Sequence, residues 1–188
     1  DPRVLTLCPV GLGLSFGNYG VGLWLPQIVQ GMGFSNLATG FVVAVPSIAG
    51  GVAMILWGRS SDRRGERVRH VAGAALLAAA ALGVASFGPS DLVVLIVLTF
   101  ATIGIYAALP TFYSVPSMFL SGTAAAGGIA LVNTFGTGLG GFLGPTVVGL
   151  LKQQTGGYAA GMAALALGLT LSATILLVMG QGKMPRPL

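Results

Sequence analysis

The feature that most constrains this chain is where its charges are absent. No Asp, Glu, Lys or Arg occurs from Val4 to Gly58, and between Val71 and Gly182 there are two, Asp91 and Lys152. Crossing about 30 Å of hydrocarbon takes roughly 20 apolar residues in a helix. The first run is therefore long enough for two membrane helices and the second for four. Of the 188 residues, 7% are charged, whereas a soluble domain carries about a quarter. A water-soluble globule is excluded on that ground, and a disordered chain needs the opposite balance of charge and hydropathy.

Turn residues divide the two runs. Gln27, Gln30, Gly31, Gly33, Ser35 and Asn36 interrupt the first, while Gly88-Pro89-Ser90-Asp91, Ser121-Gly122-Thr123 and Lys152 through Gly157 interrupt the second. The spacing predicts spans over 4–29, 37–58, 70–88, 92–119, 124–151 and 158–180, with a cytoplasmic loop over 59–69. Transmembrane strands would alternate apolar and polar residues, and these segments do not. The fold class is an all-α membrane protein with six transmembrane helices.

Orientation follows from the positive-inside bias. Six spans put both ends on one side, together with Arg3, Arg59, Arg63, Arg64, Arg67, Arg69, Lys183 and Arg186, leaving Lys152 opposite. Both termini of the segment are therefore expected on the cytoplasmic side. The net charge of +5 is then a topology signal. No basic face interleaved with aromatics exists, so nucleic acid is not an expected partner. Cys8 is the single cysteine and His70 the single histidine, which leaves no metal-ligand set and no cofactor motif. His70, beside five arginines, reads as an interfacial residue.

An intramembrane enzyme is not expected. A serine nucleophile needs a base within the membrane, and His70 stands at the start of a span; H-E-x-x-H is absent. Two other readings stay open at this level: a complete six-helix channel or small carrier acting as a homodimer, and a non-transporting membrane subunit. The start at Asp1 without Met favours a fragment of a longer protein over either.

One loop is more specific than the rest: Gly58-Arg59-Ser60-Ser61-Asp62-Arg63-Arg64-Gly65-Glu66-Arg67, a G-x-x-x-D-R-x-G-x-R pattern between the second and third spans. Gly58 permits close approach at a helix end, and Gly65 supplies the positive φ of a sharp reversal. Asp62 can face the positive end of a helix dipole, while the arginines (Arg59, Arg63, Arg67) pair with acids or lipid phosphates. A generic basic loop would account for the arginines, but not for an Asp between two glycines at this spacing.

This loop resembles the signature of the major facilitator superfamily, where it joins the second and third helices of each six-helix half. The resemblance implies one half of a twelve-helix transporter that holds its substrate between halves near the bilayer midplane. Further stretches resemble the C-terminal half of the anion:cation symporter family: Phe16-Gly17-Asn18-Tyr19-Gly20 with Trp24-Leu25-Pro26, Trp57 through Asp62, Ala107 through Tyr113, and Gly122 through Asn133. That branch implies proton-coupled uptake of a small organic anion, such as tartrate, phthalate, hydroxyphenylacetate or a sugar acid, across a bacterial cytoplasmic membrane. It also implies an N-terminal six-helix half that this chain does not contain.

Polar side chains within the spans are the candidate site, because lipid makes each one costly. They are Asn18, Tyr19, Thr111, Tyr113 and Asn133, whose amides and hydroxyls can donate to a carboxylate. The resemblance places Tyr113 and Asn133 at substrate-contacting positions, with Tyr113 where relatives often carry Trp. Asn18 is equally suited to interhelical bonding, and Thr111 to bonding its own helix. Gly136, Gly140 and Gly144, spaced by four, predict a helix face built for close packing. No acidic or basic residue falls mid-span, so proton coupling and the substrate's countercharge are expected outside this chain.

Overall fold

The structure is a computed structural model that describes residues 2–88 and 90–181. Those residues form helices and turns, with no strand among them. In order they are α1 (Pro2–Gly31), α2 (Asn36–Arg64), α3 (Arg67–Ser86), α4 (Asp91–Tyr113) with a 3-10 turn at Pro116–Met118, α5 (Gly122–Asn133), a π-helical segment (Thr134–Gly140), α6 (Gly141–Thr155) and α7 (Ala159–Gln181). The α5–π–α6 run is one continuous span, so six segments are long and apolar enough to cross a membrane. Pro89, Lys183 and Arg186 lie outside the described residues.

The helix ends follow local chemistry. Ser35 caps α2, its Oγ accepting from the Ala38 N–H at 3.3 Å, which satisfies one of the orphan donors of the first turn. Gly65 ends α2 in the left-handed region at φ +63°, where an L side chain would be strained. The loop expected over 59–69 contracts accordingly. Residues Arg59–Arg64 continue α2 and Arg67 already begins α3, leaving Gly65 and Glu66 as the elbow. The charged run needs no loop because its side chains extend from helix ends beyond the apolar stretch.

Two helices organise the bundle. α4 packs between α2 and α3, while α7 packs between α3 and α1. α1 also carries the fifth span along one side and touches α4 at the centre. Small residues allow these approaches. A Cβ on Gly104 would stand 2.5 Å from the Ala74 carbonyl oxygen and 2.8 Å from the Ala78 nitrogen. Lipid tails supply no hydrophobic drive between helices, so such close backbone contact and good side-chain packing hold the bundle together.

Candidate functional site

The fifth span is not a plain α-helix. From Thr134 to Gly140 it takes the π form, a wider turn that is uncommon and gathers at functional sites. The segment lies against α1. A Cβ on Gly136 would stand 3.0 Å from the Gly11 carbonyl, one on Gly140 would meet the Leu12 carbonyl oxygen, and one on Gly144 the Phe16 carbonyl oxygen. The three glycines thus form one contact face against the α1 backbone, and side chains there would push the span away.

Asn133 sits where α5 enters the π turn. Its Oδ1 accepts from the Tyr113 hydroxyl at 3.0 Å and from the Thr137 hydroxyl at 2.8 Å. Thr134, by contrast, spends its hydroxyl on the Ala130 carbonyl of its own helix. With the oxygen held twice, the Asn133 amide is oriented, and its NH₂ has no partner among the described residues. Asn133 is exposed on the bundle surface and Tyr113 half-buried. The arrangement presents two N–H donors at a fixed orientation, which suits a carboxylate.

The other candidates do not all converge there. Asn18 is half-buried and lines a small cavity between α1, α2 and α4 with Ser47, Thr102 and Tyr106. Gly11 is the α1 residue that faces Phe112 and Val132, the chain neighbours of Tyr113 and Asn133. Asn18 therefore stands seven residues, about 10 Å of helix, from their level. Tyr19 is exposed with its ring over Gly141. Thr111 is buried and donates to the Ala107 carbonyl at 3.2 Å, so its hydroxyl is already used by its own helix. Thr137 escaped the sequence reading although its i+4 spacing from Asn133 was the available signal.

The signature loop also differs in detail. Nothing lies within 4 Å of a Cβ built on Gly58, so the close approach expected there is absent among the described residues. Among the described residues no helix N-terminal N–H bonds the Asp62 side chain; its carboxylate stands 3.6 Å from Arg67, whose Nη1 donates to the Ser114 carbonyl at the end of α4. Arg59 and Arg63 are exposed. His70, expected at the interface, is buried. Its Nδ1 lies on the Glu66 carbonyl and its Nε2 is 3.2 Å from the Ser60 hydroxyl, while Trp57 Nε1 donates to the His70 carbonyl at 3.0 Å. These bonds clamp the α2–α3 elbow and leave the imidazole no free edge.

Lys152 is held at the other end of the bundle. It donates to the Tyr158 hydroxyl at 2.6 Å and lies over the rings of Trp24 and Tyr158, while Trp24 Nε1 donates to the Pro145 carbonyl at 2.9 Å. Aromatic faces stabilise a cation in this way. One stretch of α1, Gly13-Leu14-Ser15-Phe16-Gly17, has the G-x-S-x-G spelling of a serine nucleophile. It is continuous helix with Ser15 buried, not the strand-to-helix turn such a nucleophile needs.

Comparison with known proteins adds the context. The sequence matches the Major Facilitator Superfamily over residues 1–145. It is 47% identical over 181 residues to a candidate tartrate transporter of Agrobacterium vitis, covering 96% of this chain and 40% of that protein. It is 36% identical over 163 residues to a quinolone resistance transporter of Acinetobacter baumannii, covering 86% and 37%. The chain thus spans about two-fifths of the length of these relatives. In fold it is similar to the fucose:proton symporter of E. coli, with a TM-score of 0.81 at 15% identity over 93% of this chain and 42% of that one.

Proposed function

The chain belongs to the major facilitator superfamily, a family of non-enzymatic transporters, and from that premise we propose that it is the C-terminal six-helix half of a carrier for a small organic anion. The carrier works by alternating access in a bacterial cytoplasmic membrane, with both ends of this segment on the cytoplasmic side, and couples uptake to protons. The observation that carries the reading is the Asn133 amide, its oxygen fixed by Tyr113 and Thr137 and its NH₂ presented on the exposed face. A carboxylate oxygen of a tartrate-like solute would accept from it, with Asn18 on α1 and Tyr106 on α4 as donors at a second level, about 10 Å along those helices. The 47% identity to a candidate tartrate transporter supports the substrate class.

This half supplies orientation and hydrogen bonds. No titratable acid, Lys or Arg lies in the middle of its spans, and an anion in lipid needs a countercharge while symport needs an intramembrane proton acceptor. Both groups belong to the other half in this reading.

Asn133→Ala in the intact carrier is expected to lower uptake of radiolabelled tartrate at least tenfold at unchanged membrane expression. Tyr113→Phe and Thr137→Val, which free the amide to rotate, should raise KM more than they lower kcat. Unchanged uptake by Asn133→Ala would remove the residue from the site. Accumulation in vesicles driven by a sodium gradient and indifferent to a pH gradient would reject proton coupling.

A further inference from the structure

The end of the bundle opposite the arginines carries one cation, Lys152, in the last turn of α6. Its partners differ in kind from those of the basic residues at the elbow. Arg67 and Arg69 have the carboxylates of Asp62 and Glu66 at 3.6 and 3.4 Å, which offset their charge locally. Lys152 pairs with no carboxylate among the described residues. Its ammonium has the Tyr158 hydroxyl at 2.6 Å and the ring faces of Trp24 and Tyr158 at 5.1 and 4.4 Å. These partners are neutral, so they hold the ammonium in place and leave its charge unbalanced. The frame is itself tied to α6. Trp24 bonds the Pro145 carbonyl and rests on Gly149, where a Cβ would stand 3.0 Å from its ring. Asp91, the other charged residue at this end, opens α4 and forms no ion pair with Lys152.

We propose that Lys152 selects solutes by charge: a fixed, unneutralised cation at the outer mouth that draws divalent organic anions inward in preference to monovalent ones. The proposal rests on the organic-anion reading above and on its topology, which turns this end outward. Trp24 lies six residues beyond Asn18 on α1, about 9 Å of helix. The ammonium over its ring is therefore on the order of 10 Å from the cavity lined by Asn18, Ser47, Thr102 and Tyr106. At about 10 Å in water, a unit charge enriches a divalent anion about fourfold and a monovalent one about twofold. Lys152 acts through its field and not by contact, so it lowers KM and leaves kcat as it is. A lysine that only anchored the helix end at the interface would treat all solutes alike, at any salt concentration.

Tartrate and its monoamide, matched in size and one charge apart at neutral pH, are the probes, taken up by the intact carrier in right-side-out vesicles. At low ionic strength Lys152→Gln should raise KM about fourfold for tartrate and about twofold for the monoamide, with kcat unchanged. Near 1 M salt, where the Debye length is about 3 Å, both effects should fall below about 1.5-fold. Lys152→Arg should keep the wild-type values. Tyr158→Phe removes the hydroxyl bond and keeps the charge, so the preference for tartrate should survive. Wild type gives a second reading that needs no variant: its KM advantage for tartrate over the monoamide should shrink about twofold between the two salt levels. A Lys152→Gln effect that is absent, equal for the two solutes or unchanged by salt would overturn the proposal. So would the same loss in Tyr158→Phe, which would make the group a clasp between α6 and α7, or a wild-type advantage that ignores salt. Uptake of neither solute by wild type would reject the organic-anion reading and this proposal with it, whereas the other failures reject the proposal alone.

Discussion

α2 and α3 are consecutive, equally helical and joined by two residues, yet the bundle treats them oppositely. In their most apolar stretches 56% of α3 residues are buried, against 17% for α2. α3 is built of small residues: Ala72, Ala74, Ala75, Ala78, Ala79 and Ala81 are all buried, pressed on α4 and α7. α2 turns Phe41, Val45, Ile48, Val52 and Ile55 outward. In water the larger apolar side chains would go inside. In lipid the interior goes to residues that let backbones approach, and bulk is left for whatever surrounds the bundle. Side-chain size, not hydropathy, separates the two helices.

Three tests bear on that comparison, from the largest effect to the smallest. Gly104→Val on α4 places a branched side chain against the Ala74 carbonyl and Ala78 backbone. Overpacking costs about 1–3 kcal/mol even where neighbours can yield, and these are backbone atoms. The folded carrier recovered by detergent size exclusion should fall at least tenfold; recovery equal to wild type would mean that α3 and α4 are not held this close.

His70→Leu removes the ring bonds at the α2–α3 elbow and leaves the Ser60 hydroxyl without its ring partner. A cost of about 1–3 kcal/mol is expected for such a loss, read as a lower unfolding temperature of the purified carrier. His70→Asn, which keeps a donor and an acceptor, should recover part of it. If both variants melt with wild type, the elbow is held by α3 packing alone.

Val52→Ala on the outward face of α2 should be nearly silent, within about 0.5 kcal/mol, as surface substitutions usually are. Ala78→Val, a change of similar size on the buried side of α3, should reduce folded yield severalfold. Equal sensitivity at the two positions would show that the outward face of α2 is packed as tightly as the inside of α3. That would dissolve the contrast.

Much of this was legible without coordinates. Charge-free runs and turn residues fix six spans because a helix must satisfy its own backbone in lipid, and the length this takes is set by the bilayer. The Gly136–Gly140–Gly144 face follows from spacing, and Asn133 from the cost of a polar side chain in hydrocarbon. Tertiary structure decided the rest. That Asn133 is oriented by Tyr113 and Thr137, that Asn18 lies about 10 Å along α1 from their level and lines a small cavity, and that Thr111 is spent on its own helix all depend on rotation about helix axes. Composition and hydropathy in a uniformly apolar span do not encode that angle. The π segment shifts it further, and His70 is a buried clamp because the elbow is two residues long, which brings the last turn of α2 onto the first turn of α3. The sequence by itself thus determined how many times the chain crosses and where polar groups lie along each helix. Only packing decided which of them face one another.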